Sequence, residues 1–290
     1  MGPVHRVLTE RFVIPSRALP VPGVPALRDP GLSVGEGYAV WGGVVSAATA
    51  YPRRRISDSI RDVADLIVPP MCDGCRTHGS PWCESCQEDL ARLSWVRPVS
   101  VRPCPTPHGL PPVVAAGPYE DVLRRAIVAY KDGGRSSLQS VLAPLLAASL
   151  RTVMPSREAL SLEAEADEIV VPAPSSVRST RARGERPVAA LVRSAAGRLA
   201  APPHVLDALV VVRRVSDQSG LTAGERAGNV QGAYAVAARH TRGLAGRTVV
   251  IADDVMTTGA TLVEATRALT AAGAHVVGAA VIAATARRGG

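Results

Sequence analysis

The chain has 290 residues, 47% of them hydrophobic but only 3% aromatic, so it can bury the core of one large or two modest domains, built mainly from Val, Leu and Ala. Its formal net charge is +8, and Lys131 is the only lysine, so the basic balance rests on arginine and suits polyanions, either phosphate esters or nucleic acid. No stretch is apolar for long enough to cross a bilayer, and the longest N-terminal candidate, residues 39–51, holds two glycines and lies too far from Met1 for a secretory signal; the sequence reads as cytoplasmic, with no membrane span.

Residues 1–55 are rich in Pro, Gly and Arg without sustained periodicity and are expected to be a disordered or poorly packed extension. Ile60, Val63, Ala64 and Ile67 then recur at helical spacing before Pro69 and Pro70. Cys72, Cys75, Cys83 and Cys86 come next as two Cys-x-x-Cys pairs. Each pair can turn two thiolates to one side, and together they supply the tetrahedral sulfur set that Zn2+ prefers; with every position filled by protein, such a metal is structural rather than catalytic. The alternative is a redox dithiol, which is rarely doubled in this way. Cys104 and His108 stand apart, as remnants of a second knuckle or, for the cysteine, as a lone thiol.

Prolines crowd residues 105–117, which read as a linker. Apolar stripes predict helices over residues 119–130 and 136–153, the first stopped at Lys131-Asp132-Gly133-Gly134. An acidic loop at 158–167 precedes a short strand at 168–173. Residues 175–186 then carry Arg178, Arg181, Arg183 and Arg186 among small polar residues: either a grip for pyrophosphate, since the guanidinium fork matches phosphate oxygens, or a solvated basic loop. A helix is expected from Pro187 to Leu199, strands over 205–214 and 232–236, and a turn over 243–247.

Val249-Val-Ile-Ala reads as a buried strand that ends where Asp253 and Asp254 begin, succeeded by a hydroxyl-rich turn, Thr257, Thr258, Gly259, Ala260 and Thr261, and a helix up to Gly273. A helix N-terminus with unpaired N–H groups and three threonine hydroxyls suits a phosphate monoester. Two adjacent carboxylates suit vicinal sugar hydroxyls, or Mg2+ carried by a polyphosphate. Together they point to ribose 5-phosphate, where a cap alone needs one acid. Residues 275–284 close the sheet. The expected fold class is α/β, a parallel sheet covered by helices on both faces, divided into an extension at 1–55, a zinc-binding module at 56–112 and an α/β domain at 113–290.

The stretch Val249–Thr261 resembles the phosphoribosyl-pyrophosphate signature of type I phosphoribosyltransferases, which implies that Asp253 and Asp254 hold the ribose hydroxyls while Thr257 to Thr261 wrap the 5-phosphate. The succession of zinc knuckles, helices, Val-Pro-x-Pro turn, Arg-Gly loop, Gln218…Arg226…Asn229 segment and this motif resembles the ComF family, competence-associated proteins with a phosphoribosyltransferase-like domain, over residues 57–284. The resemblance implies ligand contacts at Gln218, Arg226 and Asn229, and places Lys131 in a helix-end Lys-x-x-Gly pattern, as a ligand contact or a solvated helix-terminal lysine. After Arg183-Gly184 the chain departs from the family, continuing as Glu185-Arg186-Pro187. Two classes of function are implied: a pentosyl transferase using phosphoribosyl pyrophosphate with Mg2+, or a non-catalytic sensor of such a ligand that engages single-stranded DNA or DNA-uptake proteins.

Overall fold

The computed structural model describes residues 70–154, 169–174, 186–213 and 230–285. In chain order these form α1 (Glu84–Leu93), β1 (Val99–Val101), β2 (Val113–Pro118), α2 (Asp121–Lys131), α3 (Gln139–Val153, entered through a 3-10 turn at Ser136–Leu138), β3 (Ile169–Pro172), α4 (Pro187–Ala196), β4 (His204–Val205), β5 (Leu209–Val211), β6 (Tyr234–Val236), α5 (Ala238–Leu244), β7 (Thr248–Met256), α6 (Ala260–Ala271) and β8 (His275–Ala284).

Six strands make one sheet in the order β1-β2-β8-β7-β3-β4, parallel throughout except for β1, which runs antiparallel to β2 at the edge. β7 and β8 are nearly continuous apolar runs because the sheet is covered on both faces, as the sequence led us to expect. One layer is α1, α2, α3 and α4, packed on Val170, Val250, Ala252, Ala280 and Ile282. The other holds Leu262, Ala265 and Leu269 of α6 and Leu244 of α5, packed on Ile169, Val171, Val249, Ile251 and Val281. Alternate residues of one strand thus feed opposite cores.

Several expectations are corrected. The strand expected over 205–214 is two short ones: β4 joins the main sheet, whereas β5 turns away and pairs antiparallel with β6 as a separate ribbon. Leu209 and Tyr234 of this ribbon pack into the α6 core, so its burial comes from a helix and not from the sheet. The turn expected at 243–247 begins after Leu244, the buried last residue of a helix, α5, that was not expected, and runs over residues 245–246. The proline-rich linker ends sooner than expected, because Val113 to Gly117 are buried in β2 between β1 and β8.

Candidate functional site

β7 does not stop at Ala252. It runs on to Met256, so Asp253 and Asp254 lie within the strand, correcting the expected boundary. The reason is the neighbour: β8 is ten residues long and keeps pairing, Asp253 opposite Val281 and Met256 opposite Ala284, whereas β3 ends its register at Pro172 opposite Ala252. Beyond Ala252 no described residue pairs with the β3 side of β7 in the ladder. After β3 the chain winds outward to β4, and after β7 it winds the other way to β8, so the acids sit at the carboxyl end of a strand flanking the switch in strand order, where open α/β sheets place ligands.

Alternation separates the two carboxylates. Asp254 follows Val250 and Ala252 towards α2, and Lys131 at the end of that helix donates to its Oδ1 at 3.0 Å. The same ammonium is 2.8 Å from Oδ2, an ion-pair distance, but outside hydrogen-bonding geometry, so Oδ2 is a buried oxygen without a hydrogen-bond partner. Asp253 follows Val249 and Ile251 towards β6, and its Oδ1 accepts the backbone N–H of Asp254 at 2.8 Å. Both acids are less than a tenth exposed, at 7% and 3%. Burial pushes the Asp253 carboxyl up to about 8, the Asp254 charge pushes the same way, and Lys131 opposes them. Lys131 is itself drawn above the usual lysine range: burial works against its charge, and the attraction of Asp254 and then Asp253 outweighs it. Among the described residues, the charge of Lys131 thus acts on both buried acids.

Directly after the strand, Thr257 is exposed and Thr258 half-buried, and Gly259 takes φ +80° as the residue that opens α6. The left-handed backbone disfavours a side chain there, and Leu110, whose Cδ1 lies 2.9 Å from where a Cβ would stand, would have to shift as well. Ala260 and Thr261, expected in the turn, form the first turn of α6. Its leading amides have no acceptor within the helix and present the positive end of the dipole. The buried Tyr234 phenol is raised to about 12 by burial and by the nearby Asp253, with Thr261 opposing the rise.

Tyr234 and Glu264 carry no sequence signal and were missed. Glu264 is buried; its Oε1 accepts the Tyr234 backbone N–H at 3.0 Å, and it forms a 2.8 Å ion pair with Arg267, which also donates to the Tyr234 carbonyl. This clamp fixes the β5–β6 ribbon on α6 beside the motif. Arg186 is committed to Asp207 at 2.8 Å and is not available to a ligand in this arrangement. Arg181, Arg183, Gln218, Arg226 and Asn229 lie outside the described residues.

At the N-terminal side, the sulfurs of Cys72, Cys75, Cys83 and Cys86 all lie within 4.8 Å of one another, with Cys72–Cys86 at 3.6 Å and Cys75–Cys83 at 3.5 Å. A tetrahedron of ~2.3 Å Zn–S bonds has edges of ~3.8 Å, so the donor set fits Zn2+. The N–H groups of Gly74 and Cys83 both point at the Cys72 sulfur at 3.4 Å, which suits a thiolate, and hydrogen bonding to Thr77 lowers the Cys75 thiol to about 6. A Cβ on Gly74 would stand 2.4 Å from the Cys86 sulfur, so the close wrap needs glycine. Cys72, Cys86 and Leu90 belong to the same core as α2 and α3, so the knuckle is built onto the α/β body. Cys104 is exposed and lies outside the sulfur cluster.

Among the described residues no helix is long and apolar enough to cross a membrane. No curated protein sequence matches the chain. Among solved structures, the chain is similar to the orotate phosphoribosyltransferase of Mycobacterium tuberculosis H37Rv, with 20% identity and a TM-score of 0.29 over 69% of this chain and 82% of that one. Residues 187–290, the stretch holding both acids and the threonine turn, match the phosphoribosyl transferase domain family. Residues 187–290 are thus phosphoribosyltransferase-like, within a chain whose main sheet is mostly parallel, and the match supports a pentosyltransferase.

Proposed function

We propose that the chain binds phosphoribosyl pyrophosphate with Mg2+ at the carboxyl end of β7 and transfers its phosphoribosyl group to a nucleobase, a ring nitrogen bonding to the anomeric carbon as pyrophosphate leaves. The observation that carries this reading is the pair of buried acids, where β7 has lost β3 as a partner, running directly into a threonine turn that opens a helix. The α6 N-terminus and Thr257, Thr258 and Thr261 supply donors for the 5-phosphate, while Asp253 and Asp254 accept from the ribose hydroxyls. Asp254 meets Lys131 at 2.8 Å, so ribose reaching this carboxylate draws the ammonium towards the ligand's phosphates. Mg2+ bound with the pyrophosphate would neutralise charge on the leaving group. The transition state has oxocarbenium character, so holding the ring and fixing both phosphate ends is what these residues contribute.

The order of motifs supports a competence-associated role linked to DNA uptake, and the net charge of +8 supports a second reading in which the same pocket senses the ligand while a basic surface holds single-stranded DNA. The two separate in one assay. Purified protein is incubated with labelled phosphoribosyl pyrophosphate, Mg2+ and a panel of nucleobases; base-dependent release of pyrophosphate is expected. A flat trace across the panel together with salt-sensitive binding of single-stranded DNA would reject the enzyme in favour of the sensor.

A further inference from the structure

The turn after α2 is held at both ends. Asp132 and Gly133 donate backbone N–H groups to the Val128 carbonyl at 2.8 and 3.3 Å, and Arg135 donates its own to the Ala129 carbonyl at 3.2 Å. The Arg135 side chain then reaches the knuckle, its Nε 3.1 Å from Oδ1 of Asp73, the residue between Cys72 and Gly74. Asp73 is half-buried as a residue, but its side chain is only 6% exposed and its Oδ2 has no hydrogen-bond partner, so Arg135 is the cation beside a carboxylate largely removed from water. Arg135 is itself 55% exposed, and a pair open to water on one side adds little to global stability. Its position gives it a different use: it anchors the fourth residue after Lys131, whose ammonium reaches Asp254 from the end of the same helix.

We propose that Asp73 and Arg135 are a positioning pair through which the four-cysteine knuckle sets Lys131 against Asp254, so that the state of the knuckle tunes affinity at a site it does not touch. Neither residue contacts the ligand. The proposal deepens the phosphoribosyl pyrophosphate reading and rests on it only for the affinity effect.

Lys131 is the only lysine in the chain, so protein grown with 15N,13C-lysine reports one side-chain ammonium. Its resonance is recorded for the full-length parent, Asp254→Asn, Arg135→Ala and Arg135→Lys, alongside bound zinc, the melting midpoint and a titration with phosphoribosyl pyrophosphate and Mg2+. Arg135→Ala is expected to keep its zinc and to melt within about 4 °C of the parent. It should move the Lys131 signal towards its position in Asp254→Asn and weaken ligand binding about 3- to 10-fold. Arg135→Lys should recover part of both effects, and chelating the parent should move the signal the same way. The proposal is overturned if Arg135→Ala leaves the lysine signal unmoved, or if the signal moves only in step with lost zinc. A lysine that shifts in Arg135→Ala while the parent ignores the ligand upholds the pair and removes the ribose-phosphate reading instead.

Discussion

Asp253 and Asp254 differ by one position and by everything that the position decides. Asp254 is matched by Lys131 across 2.8 Å, while Asp253 sits in the opposite core, held by one backbone N–H and raised to about 8. A carboxyl raised by folding binds its proton more tightly in the native state, so its contribution is fully present below the unfolded value near 4 and is lost as pH rises through about 8. Asp253→Asn removes that loss. Thermal melts of parent and variant are therefore expected to lie closest near about pH 5 and to diverge towards about pH 9, the variant becoming relatively more stable; a stability difference independent of pH would show that Asp253 is ionised throughout. The acids were legible in the sequence as a pair. That they part to two faces was not, because a strand boundary placed before Asp253 hides the alternation.

At the scale of elements, the sequence revealed those that bury one continuous stripe. Leu138, Leu142, Leu146 and Leu150 mark α3, and Val249 to Ala252 mark the middle of β7. It concealed those whose burial is borrowed. β5 and β6 are three residues each and are held on α6 by the burial of Leu209 and Tyr234 and by Glu264 and Arg267, which bond the Tyr234 backbone. β1 is Val-Ser-Val, mostly exposed, and is a strand only because β2 offers an edge. Glu264→Gln keeps an acceptor but loses the ion pair, and a loss of about 1–2 kcal/mol is expected in chemical denaturation; an unchanged midpoint would mean that the ribbon does not depend on this clamp. The knuckle was legible from spacing alone, since thiolate geometry is local. Its embedding in the α2 core was not. Because of that embedding, chelation should release about one zinc per chain and lower the melting midpoint of the whole α/β body, and a body that melts as before would show that the knuckle is a separate unit.

For the molecule as a whole, the order of strands explains why a site stands where it does. Pairing of β7 with β3 ends at Ala252 while pairing with β8 continues, so that among the described residues one side of the strand end that carries the buried acids has no ladder partner. The α/β class and the motif could be read from the chain because apolar runs and hydroxyl-rich turns are local signals; the one-sided end of β7 depends on the unequal lengths of β3 and β8, and β3 is far from β7 in sequence. The central claim is that this strand end and the threonine turn after it hold a sugar bearing phosphate. Calorimetric titration of phosphoribosyl pyrophosphate with Mg2+ into the parent and into Asp254→Asn tests it most directly. Saturable binding by the parent, weakened at least about 10-fold in a variant that keeps the parent's far-UV spectrum, is the predicted result. Equal affinity in the two proteins, or no heat from either, would contradict it.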